Sequence, residues 1–305
     1  MKTKLIGLAC FALLLSCVDN DDKLSATNPP NVLGMDYTKS QVSFQETYTA
    51  LHSALSANEN IKIVAEVNHT ANAESVGEAL NSTRIIFFGN PNLGTPLMQQ
   101  NQLAGLDLPQ KIVVYQNTEN EVYAGFNNTA YFSSRHTLNG VATLPIIQGA
   151  LENLSKGASQ DSIVAATDSA AIVEEGIISK TTNSKSFDAV YNSLKMAIEN
   201  NENLKIIAEL DHQANAASIG QELDPTRIII FGNPNLGTSL MQNAQTTALD
   251  LPQKMLVWQN TEGAVQVAYN DPAFLVKRHG ITANETVLET IAIALDNLSN
   301  VALAE

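Results

Sequence analysis

Phe88-Gly89-Asn90-Pro91-Asn92-Leu93-Gly94-Thr95 recurs without a change as Phe231-Gly232-Asn233-Pro234-Asn235-Leu236-Gly237-Thr238. At the same offset, Leu106-Asp107-Leu108-Pro109-Gln110-Lys111 returns as Leu249 to Lys254, and the register holds without a gap from Phe44/Phe187 to His136/His279. Roughly half of the aligned positions are identical, which marks a duplicated domain rather than a short solenoid repeat. The second copy carries one extra residue before Leu154/Leu298. The duplication divides the chain into a first domain over 34–157, a linker over 158–170 rich in Ser, Ala and Asp, and a second domain over 171–303.

Working outward from the repeated block, Ile85-Ile86-Phe87-Phe88 and Ile228 to Phe231 are apolar on both faces and read as central strands. The Gly-Asn-Pro turn ends each strand, and a helix is expected over Leu97–Leu103. Upstream, Phe44, Tyr48, Leu51 and Leu55 fall at helical spacing, as do Phe187, Val190, Tyr191, Leu194 and Ile198. Ile61 to Val67 is β-branched and partly alternating, a strand with Lys62 and Glu66 on its wetter face. Ala71 to Leu80 reads as a short helix. Downstream, Ile112–Tyr115 and Val122–Phe126 flank an Asn-Thr-Glu turn as a hairpin. Asp271-Pro272 has the form of an N-cap followed by Pro at the first helical position. A last helix carries Ile147, Ala150, Leu151 and Leu154, or Leu288, Ile291, Leu295 and Leu298. A hairpin within this order argues for an α+β fold over an all-parallel sheet.

Composition narrows the function classes. The 305 residues are 44% hydrophobic and only 16% charged, enough to bury one or two cores. Seventeen basic against 31 acidic side chains give a net charge of -14, which repels a phosphate backbone, so nucleic acid is not an expected partner. The two cysteines both fall in the first 17 residues, which leaves the folded part without a disulfide, a thiolate metal site or a Cys nucleophile.

Those cysteines belong to an address. Lys2 and Lys4 precede an apolar run from Leu5 to Leu15 that is too short to span a bilayer, and Leu14-Leu15-Ser16-Cys17 closes it. The segment resembles a bacterial lipoprotein signal peptide, with residues 1–16 removed and Cys17 lipidated as the new N-terminus; the alternative is a plain secretory signal cleaved elsewhere. Residues 17–33, with Asp19, Asp21 and Asp22, then read as a flexible acidic tether. Val18 in place of Asp after the Cys resembles lipoproteins passed to the outer membrane, on its periplasmic face or at the cell surface. The membrane is therefore an expected partner, through the anchor at Cys17.

Four blocks in order, Ala-Glu-x-x-His-x-Ala-Asn-Ala, Phe-Gly-Asn-Pro-Asn-Leu-Gly-Thr-x-Leu-Met-Gln, Leu-Asp-Leu-Pro-Gln-Lys and Asn-Asp-Pro-Ala-x-Leu-x-x-Arg-His, resemble the bacterial domain-of-unknown-function family numbered 302. The resemblance implies two tandem small α+β domains, each a mainly antiparallel sheet packed with helices, of the TATA-binding-protein-like class. It also implies that the two domains pack on each other as a pseudo-dimer. It implies no nucleic-acid function, and the family carries no established activity; no cofactor is expected. The first copy departs from the pattern at Asn68, Asn128 and Thr129, where the second has Asp211, Asp271 and Pro272, so the second copy is the expected seat of any function.

Candidate site residues gather at the repeated turn. Gly-Asn-Pro joins a strand to a helix, where free backbone N–H groups beside Asn90 and Thr95, or Asn233 and Thr238, offer a place for an anion or polar ligand. The competing and favoured reading is a turn that needs these residues for geometry. It lacks the Gly-Lys-Ser/Thr ending of a phosphate loop. His69 and His212 recur with Glu66 and Glu209 three residues earlier, a spacing that points to opposite faces of a strand and favours a structural role. Arg135-His136 and Arg278-His279 are read as helix C-terminal caps. The expected function is non-enzymatic small-ligand binding or protein interaction, with His69, His212 and the turn as ligand residues and no catalytic residue assigned. The alternative is a metal-binding protein or enzyme using the same His69/His212 region. The two differ in geometry: a binding protein needs a concave pocket beside the turn, and an enzyme would bring both histidines of one copy into it.

Overall fold

The computed structural model describes residues 29–170 and 174–304; the leader, Cys17 and most of the tether lie outside this range. The first copy runs β1 (Met35–Lys39), α1 (Phe44–Ser56), β2 (Lys62–Asn68), α2 (His69–Ser75), β3 (Thr83–Gly89), α3 (Pro91–Gln100), β4 (Gln110–Gln116), β5 (Val122–Asn127), α4 (Thr129–His136) and α5 (Leu144–Ser159). The second repeats the order as β6 (Ile177–Thr182), α6 (Phe187–Glu199), β7 (Lys205–Asp211), α7 (His212–Ser218), β8 (Thr226–Gly232), α8 (Pro234–Asn243), β9 (Gln253–Gln259), β10 (Val265–Asn270), α9 (Pro272–His279) and α10 (Glu285–Leu303). A 3₁₀ turn precedes β4 (Gln102–Leu106) and another precedes β9 (Gln245–Leu249). Each copy forms one five-stranded sheet, β1-β5-β4-β3-β2 and β6-β10-β9-β8-β7, in which all neighbours pair antiparallel. The α+β expectation holds in both halves.

Several local readings are corrected. The second helix starts at His69, not Ala71, because the Asn68 side chain caps it by accepting from the Ala71 N–H at 3.1 Å, and it gives way to Gly77 at φ +79°. The helix after the Gly-Asn-Pro turn begins on Pro91 itself, with Asn90 as its N-cap, and ends at Gln100. Strands β1 and β6 carry no strong alternation and were not expected. Each is entered through a glycine at positive φ, Gly34 (+67°) and Gly176 (+66°), where a Cβ would collide with Tyr131 or Phe274. The linker is not free chain: Val164 bridges to Tyr37 of β1, and the Ala166 N–H donates to Asp36 Oδ1 at 2.9 Å.

The two-sided apolar strands find their reason between the copies. Ile86, Phe88, Ile112, Val114, Ala124 and Phe126 face α1 and α5 in one core. On the opposite face of the same sheet, Ile85, Phe87, Val113, Tyr115 and Tyr123 pack with Ile230, Met241, Ala248, Leu249 and Leu251 of the second copy. The second sheet does the same: Ile229, Phe231, Met255 and Val257 lie under α6 and α10, whereas Ile228, Leu256 and Ala268 meet Leu103 and Leu106 of the first copy. Helix α10 is long and apolar enough to cross a membrane by composition, but Ile291, Leu295, Leu298 and Ala302 bury one side of it in this core.

Buried polar groups then fix how the copies meet. Arg135 donates to Asp107 Oδ2 at 2.7 Å within its own copy and to Asn270 Oδ1 at 2.9 Å in the other. Arg278 reciprocates, to Asp250 Oδ2 at 2.6 Å and to Asn127 Oδ1 at 2.6 Å. His136 and His279 contact the same carboxylate oxygens at 2.7 and 2.8 Å. The arginines are therefore interface ties and the histidines hold the same carboxylates within their own copies, in place of the helix caps expected for them. Burial opposes ionisation of Asp107, yet Arg135, His136 and Lys254 together hold its carboxyl well below the usual carboxylate range. Gln102 and Gln245 complete the pattern, each donating to a threonine of the other copy, Thr226 at 2.9 Å and Thr83 at 2.8 Å.

The halves are matched rather than identical. A Cβ on Gly105 would come within 3.0 Å of Leu256 Cδ1, and at the equivalent contact Ala248, the counterpart of Gly105, meets Val113, the smaller counterpart of Leu256. Two tests follow from this interface. Residues 171–303 expressed alone should self-associate in sedimentation, because the face around Ile228, Leu256 and Arg278 needs a cover; Ala248→Gly should tighten that dimer by relieving the doubled Ala–Leu contact, and a folded monomer would contradict the interface. Asp107→Asn in the full chain should cost about 3–5 kcal/mol in urea unfolding, since it leaves the buried Arg135 charge unpaired.

Candidate functional site

Beside each Gly-Asn-Pro turn lies a concave, mainly apolar pocket. The pocket of the first copy has a volume of about 290 Å³ and is walled by Ile61, Val64, Phe88, Met98, Leu108 and Leu151. That of the second copy, about 120 Å³, is walled by the counterparts Leu204, Ile207, Phe231, Met241, Leu251 and Leu295. A preference for the second copy therefore has no support in cavity size. Nor do the residues that motivated it line a pocket: the Asp211 carboxylate caps α7 and binds Arg227 at 2.7 Å, and Asp271 caps α9.

The histidines cross over. His212, the first residue of α7, lines the pocket of the first copy with Asn90 and Thr95; His69, the first residue of α2, lines the pocket of the second with Asn233 and Thr238. Helix α2 packs on α8 and α3 on α7, which carries each ring into the opposite copy. His212 therefore meets Asn90 and Thr95, and His69 meets Asn233 and Thr238. Sequence spacing within a copy cannot show this, because the meeting is set by how the copies dock.

Asn90 and Asn233 serve the turn. Their side-chain oxygens accept from the N–H groups of Asn92 and Asn235 at 3.0 Å, and the Asn90 carbonyl accepts from Leu93 and Gly94. The N–H donors expected to be free at the start of α3 are consumed by the helix cap, so the turn is no open anion cradle.

What remains free is a set of three side chains. In the first pocket, Thr95 Oγ1, Gln110 Nε2 and His212 Nε2 are buried and have no hydrogen-bond partner among the described residues. In the second, the equivalent Thr238 Oγ1, Gln253 Nε2 and His69 Nε2 are in the same state. Gln110 and Gln253 were not singled out in the sequence, although they sit in the repeated Leu-Asp-Leu-Pro-Gln-Lys block. Burial pushes both histidines down to about 4, which keeps them neutral near pH 7. For His212 the Asp211 charge and the Gly105 backbone pull the other way without outweighing burial.

The acid–imidazole pairs that the spacing argued against do not form. Glu66 accepts from Tyr48 at 2.6 Å and contacts His52 at 3.3 Å, and Glu209 takes Tyr191 and Lys195. His136 and His279 lie at the Asp107 and Asp250 contacts and line neither pocket, so neither pocket receives both histidines of one copy. Among the described residues, no three His, Cys, Asp or Glu side chains gather closely enough to hold a metal ion. With a neutral imidazole, a hydroxyl and an amide in an apolar wall, the arrangement can hydrogen-bond and enclose a small molecule.

Comparison with known proteins bears on the family more than on the activity. Over 84 residues the chain is 43% identical to the fluoride-specific ion channel FluC 1 of Brucella suis biovar 1 and, equally, to FluC 1 of Brucella abortus biovar 1. The match covers 28% of this chain and spans only about a third of those relatives (33% and 31%). The crystal structure of the uncharacterized conserved protein DUF302 from Bacillus stearothermophilus aligns with 42% of this chain and 98% of its own, at 16% identity and a TM-score of 0.38. The family model described as domain of unknown function DUF302 matches twice, over residues 36–156 and 178–298, and the chain accordingly belongs to that family as a tandem pair.

Proposed function

We propose that this chain is a lipid-anchored envelope protein that binds small, largely apolar molecules without transforming them, in two pockets that its copies complete for each other. One observation carries the reading: the same three buried side chains, Thr, Gln and a His from the opposite copy, line both pockets and carry polar atoms without a hydrogen-bond partner among the described residues. A buried polar group without a partner costs stability, so its retention twice over at the same place fits a bound group that satisfies it. Mainly apolar walls with a few directed polar groups are the usual make-up of a small-molecule site. The lack of a carboxylate behind either histidine favours binding over acid–base catalysis.

The direct test is to purify the full chain from its native membrane, denature it and identify released small molecules by mass spectrometry. A defined compound at up to two per chain is expected. Ala150→Phe and Ala294→Phe, which place a ring in each pocket from α5 and α10, should each lose part of it while the fold persists. If nothing is released and no pocket-filling variant changes what the protein carries, the binding reading falls. For the anchor, Cys17→Ser should move the protein from the membrane to the soluble fraction; unchanged, detergent-dependent membrane association would contradict lipidation at Cys17.

A further inference from the structure

We infer that the first copy carries a separate binding site for a dicarboxylate at Arg84, where the second copy fills the equivalent place with its own acids. In the second copy Arg227 donates from Nε to Asp211 Oδ2 at 2.7 Å and from Nη1 to Asp188 Oδ1 at 2.9 Å, with its guanidinium over the Phe187 and Tyr191 rings. The unbroken register makes Arg84 the counterpart of Arg227, Asn68 of Asp211 and Gln45 of Asp188. Both carboxylates are thus amides in the first copy. The arginine and its aromatic seat are kept, with the Arg84 guanidinium 4.8 Å from the centre of the Tyr48 ring. Among the described residues that guanidinium makes no hydrogen bond and no ion pair.

The place is open to a ligand. Arg84, Gln45 and Asn68 line a polar groove of about 820 Å³ together with Lys39, Ser43 and Thr70. Asn68 uses its side-chain oxygen on the Ala71 N–H, as Asp211 uses Oδ1 on the Ala214 N–H, so the atom left over is an amide nitrogen that only donates where Asp211 has a second acceptor. The acids beside the groove are engaged elsewhere, Glu121 with Lys39 and Glu46 with Ser43. Donors therefore outnumber acceptors around a stacked, unpaired arginine, on a chain whose net charge of -14 otherwise repels anions. Asp188 and Asp211 show what such an arginine takes, two carboxylates on one guanidinium. Arg227 and Asp188 are 29% and 72% exposed, so this pairing is partly screened and an affinity in the millimolar range is expected. The groove shares no residue with the two apolar pockets, and the inference does not depend on what they bind.

The test uses the full chain in lipid nanodiscs at pH 7 and low salt, with empty nanodiscs as the control. Malonate, succinate, glutarate, acetate and inorganic phosphate are titrated by ligand-observed NMR. The best diacid should bind at least about fivefold more tightly than acetate, because two carboxylates can meet the guanidinium as they do in the second copy, and added salt should weaken it. Arg84→Gln should abolish the binding. So should Gln45→Asp combined with Asn68→Asp, which supplies the acids from within and should raise the melting temperature. Asp188→Gln combined with Asp211→Asn, which keeps a capping side chain on α7, should open a second site at Arg227. The same titrations on a chain with Asp19, Asp21 and Asp22 changed to Asn separate a free diacid from the chain's own acids: tighter binding there means that residues 17–33 compete for Arg84, and equal binding means that a free diacid is the occupant. If no diacid binds to either chain, if binding survives both first-copy variants, or if the second-copy variant opens no site, the inference is wrong. Phosphate binding more tightly than every diacid would overturn the assignment to carboxylates.

Discussion

Each sheet in this protein is apolar on two faces but has helices of its own for only one. That constraint governs the rest. Ile85, Phe87, Val113 and Tyr115 would be left against water in an isolated first copy, and Ile228, Ile230 and Leu256 in an isolated second. Exposed apolar area of this kind is worth roughly 25 cal/mol per Å² when covered, so a few such side chains suffice to make the pairing strongly favourable. The nonspecific pull is then made specific by Arg135 and Arg278, whose guanidinium groups each bind an aspartate of their own copy and an asparagine of the other. A buried charge that reaches across an interface permits few alternative registers, because any slip leaves it unpaired.

The pockets follow from the same docking. Helices α2 and α7 end up against α8 and α3, and the histidine that opens each short helix is delivered to the neighbouring copy's turn. Neither pocket is complete in one copy. A site assembled this way depends on the relative placement of two folded units, so whatever loosens the Arg–Asp–Asn ties also displaces a pocket-lining ring.

Much of the fold was legible because it is local. The helical spacing of Phe44, Tyr48, Leu51 and Leu55, the two-faced apolar strand Ile85–Phe88 and the Asn-Thr-Glu hairpin each depend on neighbours within about a dozen residues, and repetition in the second copy checks every one. Strands β1 and β6 escaped notice because Met35–Lys39 and Ile177–Thr182 pair at a sheet edge with strands some ninety residues away in sequence and have little alternation of their own. The candidate site was legible in its residue types, with His69, His212, Thr95 and Thr238 all lining pockets, but not in its pairing. Spacing kept Glu66 and His69 apart, as they are, but by strand alternation, whereas Glu66 lies on a strand beside Tyr48 and His69 opens the next helix. Gln110 and Gln253 had no signal beyond their recurrence in a repeated block.

Fusing the copies in one chain changes what the pair can become. A homodimer must use one sequence on both sides of its axis, so a larger side chain on one side is met by the same enlargement on the other. Here Gly105 faces Leu256 at a spacing that has little room for a Cβ, while the equivalent positions carry Ala248 and Val113. Small against large is exchanged for large against small, and the total filling of the interface is kept. The same freedom reaches the pockets, where Val64 stands in one and Ile207 in the other and the cavities differ by more than a factor of two in volume. The linker, held to β1 through Val164 and Ala166, keeps the partner at high effective concentration, so such asymmetry does not have to compete with self-pairing of like copies. Two unequal pockets sharing one polar motif are what a duplicated, internally paired domain permits and a symmetric dimer does not.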